Sequence, residues 1–143
     1  MKRLIWLLMP LLFYGCKDSP PAIAYGRDAC HTCKMTIMDE RFGAAIVSTK
    51  GKIVKFDDVV CMVEFLASQE LKENQIRKKL VIDYRLKNHF LDAEQAVYLV
   101  SENIHTPMNG KAAAFADKQE ANNLQHEKQG VIMDWMQVYN KLK

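Results

Sequence analysis

"GKIVKFDD" (Gly51–Asp58) and "GKAAAFAD" (Gly110–Asp117) share the frame Gly-Lys-x-x-x-Phe-x-Asp. Each precedes a stretch of helical character. Each of those stretches leads to a short apolar run that closes on an aspartate and an aromatic, "VIDY" (Val81–Tyr84) in the first case and "VIMDW" (Val131–Trp135) in the second. The matches keep the same order. An ordered set of this kind reads as a duplicated structural unit, here two strands, a helix and a further strand. The expected fold class is α+β, with two small duplicated ββαβ units of mainly antiparallel strands over residues 30–86 and 87–143.

Local patterns agree with this division. Phe42–Thr49 and Lys52–Phe56 are β-rich runs joined around Lys50-Gly51, a hairpin signal. Asp57 or Asp58 is placed to cap the helix that follows. In that helix Val59, Met62, Val63 and Leu66 form one apolar stripe. Lys79–Tyr84 is the expected third strand. In the second unit, strands are expected at Glu94–Ser101 and Lys111–Phe115, although "KAAAF" alone is equally compatible with helix. Asp117 and Glu120 resemble a capping box, and Gly130 is a natural helix stop. Val131–Met133 is a short strand. Asp134 caps a last helix with Trp135, Val138, Tyr139 and Leu142 on one face.

Outside the repeat, "MKRLIWLLMPLLFYGC" has a basic start (Lys2, Arg3), an apolar run Leu4–Tyr14 and a small residue before Cys16. The run is far short of the ~20 residues that span a bilayer and suits the core of a signal peptide. Gly15-Cys16 resembles a lipobox, with Phe13 and Tyr14 bulkier than usual. Residues 1–15 are therefore expected to be a lipoprotein signal peptide and Cys16 the lipidated residue. Residues 16–29 would then be a flexible tether, since "KDSPPAIAYGRDA" shows no periodicity. The expected location is the cell envelope, anchored to a membrane on its periplasmic or outer side. Lys and Arg number 20 against 17 Asp and Glu, and two of the bases lie in the signal segment. Such a balance argues against nucleic-acid binding, which needs a clustered basic face.

Three cysteines remain in the expected mature chain: Cys30, Cys33 and Cys61. An odd count outside the cytoplasm leaves a free or ligating thiol. "ACHTCKMTIM" (Ala29–Met38) holds the first two. Haem attachment needs histidine where Lys34 stands. A thioredoxin-type pair needs a helix after the motif, and the residues after Cys33 read as strand. A zinc knuckle needs a second ligand pair. A Cys30–Cys33 disulfide is the plain alternative. Copper(I) fits better, because this soft ion takes two or three sulfur donors and accepts thioethers. On an extended Cys33-Lys34-Met35 both sulfurs would project to one side. Met108 sits in the polar turn "HTPMNG" (His105–Gly110), where packing is a poor explanation for it. Cys61 lies in an apolar helix and reads as a small buried hydrophobe. His31 and His105 are candidate nitrogen donors near the motifs, while His89 and His126 read as surface residues.

The pieces "CHTCKM", "RFGAAIV", "FDDVVCM", "VIDY", "DAEQAVYLV", "TPMNGKAAAF" and "GVIMDW" taken in order resemble the NosL family, membrane-anchored copper-binding lipoproteins of the nitrous oxide reductase assembly system. The resemblance covers nearly all of the chain after Ala29. It implies two related ββαβ units, a fold similar to part of the organomercury lyases. It also implies a metallochaperone rather than an enzyme, one that carries copper(I) to the reductase's copper-sulfur cluster. The implied partners are that reductase and its maturation and ABC transporter machinery. Many members carry Cys-Gly-Met where this chain has Cys33-Lys34-Met35, and a Pro-Met where it has Pro107-Met108. The metal ligands implied are Cys33 and Met108 first, then Met35. Cys30 is additional to the simpler family pattern, so it is a ligand, a disulfide partner or idle. The reading from a different class is an envelope thiol-disulfide protein in which Cys30 and Cys33 cycle or staple.

Overall fold

The structure, a computed structural model, describes residues 21–143. The expected signal peptide, residues 1–15, and Cys16 lie outside the described residues. Among the described residues, two antiparallel sheets with three α-helices make an α+β fold. In the first sheet β1 (Ala44–Ser48) lies between β2 (Ile53–Phe56) and β3 (Ile76–Ile82), and α1 (Val59–Ala67) connects β2 to β3. Ala44 stands opposite both Phe56 and Val81. β4 (Phe90–Asp92) extends this sheet along β3. In the second sheet β5 (Val97–Val100) lies between β6 (Ala112–Phe115) and β7 (Val131–Met133), with α2 (Lys118–Lys128) connecting them. Both units thus place their first strand in the middle, flanked by their second and last. The repeated phenylalanines, Phe56 and Phe115, end equivalent strands and are both buried. The repeated aspartates, Asp58 and Asp117, are both helix N-caps.

The units share one core. The inner faces of the sheets, Ile46 and Phe56 from one and Tyr98 and Ala114 from the other, pack with Met62 of α1 and Val138 of α3 (Trp135–Leu142). The opposite face of the second sheet is covered by α2, where Leu99, Ala113 and Phe115 meet Ala121 and Leu124. β6 is therefore buried on both faces, and its alanines alternate between two cores. This is why "KAAAF" is strand: pairing with β5 and double-sided burial decide what propensity leaves open. The units are joined where the Tyr84 N–H donates to the Ala114 carbonyl at 2.8 Å. Asp134 caps α3 in a full capping box with Gln137. Gly130 follows α2 with φ of 108°, and a Cβ there would lie 2.3 Å from the Val100 carbonyl oxygen.

Three expectations need correction. The tether does not extend to Ala29. Ile23 is buried against Gly43, whose Cβ would approach Ile23 Cδ1 to 2.7 Å. The Asp28 carboxylate takes the Ala24 N–H at 2.7 Å and Lys55 Nζ at 2.6 Å. The chain is thus packed from Ile23 onward, because a single isoleucine and a local carboxylate give it an apolar anchor and a turn. β1 begins at Ala44 rather than Phe42, since the Phe42 ring turns into the second core and lies 5.6 Å from the Tyr84 ring. Finally, the strand bounds shift: β3 begins at Ile76, before the expected Lys79, β5 begins at Val97, after the expected Glu94, and β4 was not expected at all. Among the described residues no helix is long and apolar enough to cross a membrane.

Candidate metal centre

The turn Cys30–Met35 is closed by its own backbone. The Lys34 N–H donates to the Cys30 carbonyl at 3.0 Å, and the Cys30 N–H donates to the Met35 carbonyl at 2.8 Å. Lys34 has a left-handed backbone, φ 65°. The expected extended Cys33-Lys34-Met35 is therefore a knuckle, and the argument that its two sulfurs share a side does not hold. The knuckle is fastened to the body at two points. The His31 N–H donates to the Lys55 carbonyl of β2 at 2.8 Å. Thr32 Oγ1 donates to the Cys61 carbonyl at 2.8 Å. The second bond brings α1 to the turn.

Cys61 lies in the first turn of α1. Its Sγ and those of Cys30 and Cys33 lie within 4.8 Å of one another, and all three thiols are free. Cys30 and Cys61 are each 1% exposed, while Cys33 is partly exposed and forms the accessible edge. The sulfurs are electrostatically unequal. The Cys61 S–H donates to Cys30, and the Asp57 and Cys33 N–H groups aim at the same sulfur. Together they bring the Cys30 thiol down to about 5 against the opposing effect of burial. Cys61 is pushed far up, first because its proton is held in that bond and then by burial. Cys33 is pushed up by burial, with the Cys30 thiolate adding to it. The three thiols are thus unequal, with Cys30 the one most easily ionised, and a soft metal would displace the protons that remain.

Two carboxylates stand behind the cluster. Asp57 is 2% exposed and its Oδ1 has no hydrogen-bond partner. Burial pushes its carboxyl up to about 6, and the Cys30 and Asp58 charges add to this. Asp58 caps α1 through Val60 N–H. Its other oxygen, Oδ2, accepts the Met108 N–H at 3.1 Å and the Gly110 N–H at 3.3 Å. The turn of the second unit is thereby tied to the helix that carries Cys61. Cys33 and Met108 are both partly buried against the same core.

The sequence candidates fare differently. Cys30 and Cys33 come together, and the Met108 turn docks at the N-terminus of α1, the helix that carries Cys61. The Met35 side chain is 54% exposed, and its backbone closes the knuckle. His31 pairs with Glu70 at 3.0 Å and sets its ring edge-on to Phe65 at 5.1 Å, a surface packing role. Cys61 is buried as its apolar setting suggested, but its sulfur faces the other two. Among the described residues no fourth Cys, His or carboxylate joins the three thiols, and such a set suits a soft ion of low coordination number better than structural zinc.

A family model described as NosL matches residues 22–142. The chain belongs to the NosL family. Among solved structures it is similar to the copper chaperone NosL from Shewanella denitrificans, with TM-score 0.71 and 20% identity over 83% of this chain and 94% of that one. At that identity the likeness establishes the shared fold. No curated protein sequence matches this one. Lys34 holds φ 65°, a conformation that glycine takes at least cost, at the position where the resemblance drawn from the sequence implies glycine.

Proposed function

We propose that this NosL protein is a copper(I) metallochaperone of the cell envelope, lipid-anchored through Cys16, and not an enzyme. It delivers copper for assembly of the copper-sulfur cluster of nitrous oxide reductase and works with that enzyme's maturation and ABC transporter machinery. Copper(I) is its cargo. The observation that carries this reading is the convergence of three free thiols with one partly exposed edge. The donors are Cys30, Cys33 and Cys61, with Met108 presented from the second unit and Met35 available at the exposed rim. The donor set is soft, as copper(I) prefers. Cys30 is the thiol most easily ionised, through the hydrogen bond from Cys61. Cys33, the accessible sulfur, is the one an acceptor's ligands reach first, so copper leaves by stepwise ligand exchange.

Anaerobic copper(I) competition against a chromophoric chelator tests this on the protein lacking residues 1–16. Cys30→Ser, Cys33→Ser, Cys61→Ser and Met108→Leu should each weaken binding. If Met108→Leu and Cys61→Ser leave binding unchanged while Cys30 and Cys33 are both required, the pair is an ordinary dithiol. The thiol-disulfide reading then takes precedence, and the depressed Cys30 is the observation in its favour.

A further inference from the structure

Asp58 is fully buried, and its two oxygens serve N–H groups from two distant parts of the chain. Oδ1 takes Val60 N–H at 3.3 Å. Oδ2 takes Met108 N–H at 3.1 Å and Gly110 N–H at 3.3 Å. One carboxylate thus holds the helix that carries Cys61 and the turn that carries Met108. The approach is close: a Cβ on Gly110 would lie 2.7 Å from Asp58 Oδ1 and 3.1 Å from Val60 Cβ. Asp117, the equivalent residue of the second unit, gives the comparison. It is exposed and accepts Glu120 N–H of its own helix at 3.0 Å. Capping alone therefore needs neither burial nor the second oxygen. A buried carboxylate is costly unless its hydrogen bonds are made, and at Asp58 the Met108 turn supplies two of them.

We propose that Asp58 is a positioning residue for the copper site, holding the Met108 thioether in register with the thiol cluster across the two units. This rests on the copper-carrier reading above, with Met108 as a donor. With Asp58→Asn a single amide oxygen remains, which serves the helix or the turn but not both. Gly110→Ala breaks the same contact from the turn's side and leaves the α1 cap residue in place.

The test combines two readouts on the protein lacking residues 1–16. The first is copper(I) affinity by anaerobic chelator competition. The second is the Met108 methyl resonance in protein labelled at its methionine methyl groups, with and without copper(I). Asp58→Asn and Gly110→Ala should each weaken copper(I) roughly 10- to 100-fold, the range for residues that orient metal ligands. Both should abolish the copper-induced Met108 shift. Asp117→Asn should change neither readout. The Gly110→Ala/Met108→Leu double variant, which keeps the α1 cap, should lose no more affinity than Met108→Leu alone, because the contact acts through Met108. Additive losses, or a Met108 shift that survives Asp58→Asn and Gly110→Ala, overturn the inference and leave Met108 as a donor. A wild-type protein that binds copper(I) with no Met108 shift, and loses nothing on Met108→Leu, overturns both Met108 as a donor and Asp58 as its positioning residue. Failure of wild-type copper(I) binding overturns the carrier reading itself.

Discussion

Cys61→Ala separates a packed apolar cysteine from a working member of the cluster. The Cys30 thiol is brought down to about 5, against ~8.5 for a free thiol, so its thiolate is favoured. The Cys61 S–H is the largest contributor, and the Asp57 and Cys33 N–H groups follow. A hydrogen bond to a charged group is worth ~1.5–3 kcal/mol, and a thiol is a weak donor. Removing it should therefore raise the Cys30 midpoint by about one to two pKa units. The assay is thiolate ultraviolet absorbance against pH, anaerobic, reduced and metal-free, with Cys30→Ser identifying the step. A midpoint unmoved by Cys61→Ala would show that the backbone donors alone hold the thiolate. Cys61 would then be the small buried hydrophobe its neighbours in α1 suggest.

Three further outcomes follow from the geometry. Lys34→Gly should stabilise the protein by about 0.5–1 kcal/mol in urea unfolding, the left-handed penalty of ~1–2 kcal/mol less glycine's larger entropy loss; a destabilised variant would contradict the knuckle. Ile23→Ala should cost roughly 2–4 kcal/mol, whereas a tether residue would show no change. Asp57→Asn should stabilise the metal-free protein at neutral pH and not near pH 4. Because the folded-state carboxyl is raised to about 6, the unfolded chain ionises first as pH rises from ~4. Wild-type stability then falls until Asp57 ionises in the folded protein as well, a loss of at most about 3 kcal/mol that the variant escapes. Unfolding at the two pH values measures it, and an equal effect at both would refute the reasoning.

The repeat made the connectivity legible, since equivalent Phe and Asp residues mark equivalent strand ends and caps. Capping is local chemistry, which is why Asp58, Asp117 and Asp134 were readable as caps. β4 was not readable because three residues, "FLD", show no alternation. The packed segment from Ile23 was hidden because one apolar side chain makes no period. At the site, the pair Cys30 and Cys33 and the oddly placed Met108 stood out as residue types in unexpected places. The role of Cys61 did not, since a cysteine on an apolar helical face looks the same whether its sulfur meets a methyl group or another thiol. The odd thiol count was the signal that pointed toward it. The left-handed Lys34 was equally hidden, as nothing but a glycine would have announced that turn.

The site arises from what the duplicated units do not share. All three thiols come from the first unit, and the position equivalent to Cys61 in the repeat frame is Glu120, whose N–H Asp117 caps. The connection between the first two strands also differs. In the first unit, β1 ends at Ser48 and β2 begins at Ile53, a short hairpin. In the second, β5 ends at Val100 and β6 begins at Ala112, leaving a longer loop. That length lets the Met108 turn cross to the N-terminus of α1, where Asp58 accepts its N–H groups. The short hairpin of the first unit has no matching hold on Asp117, which stays exposed on its own helix. A symmetric pair of ββαβ units would give two caps and no shared site. Lengthening one loop and burying one cap ties the Met108 turn of the second unit to the helix of the first that carries Cys61.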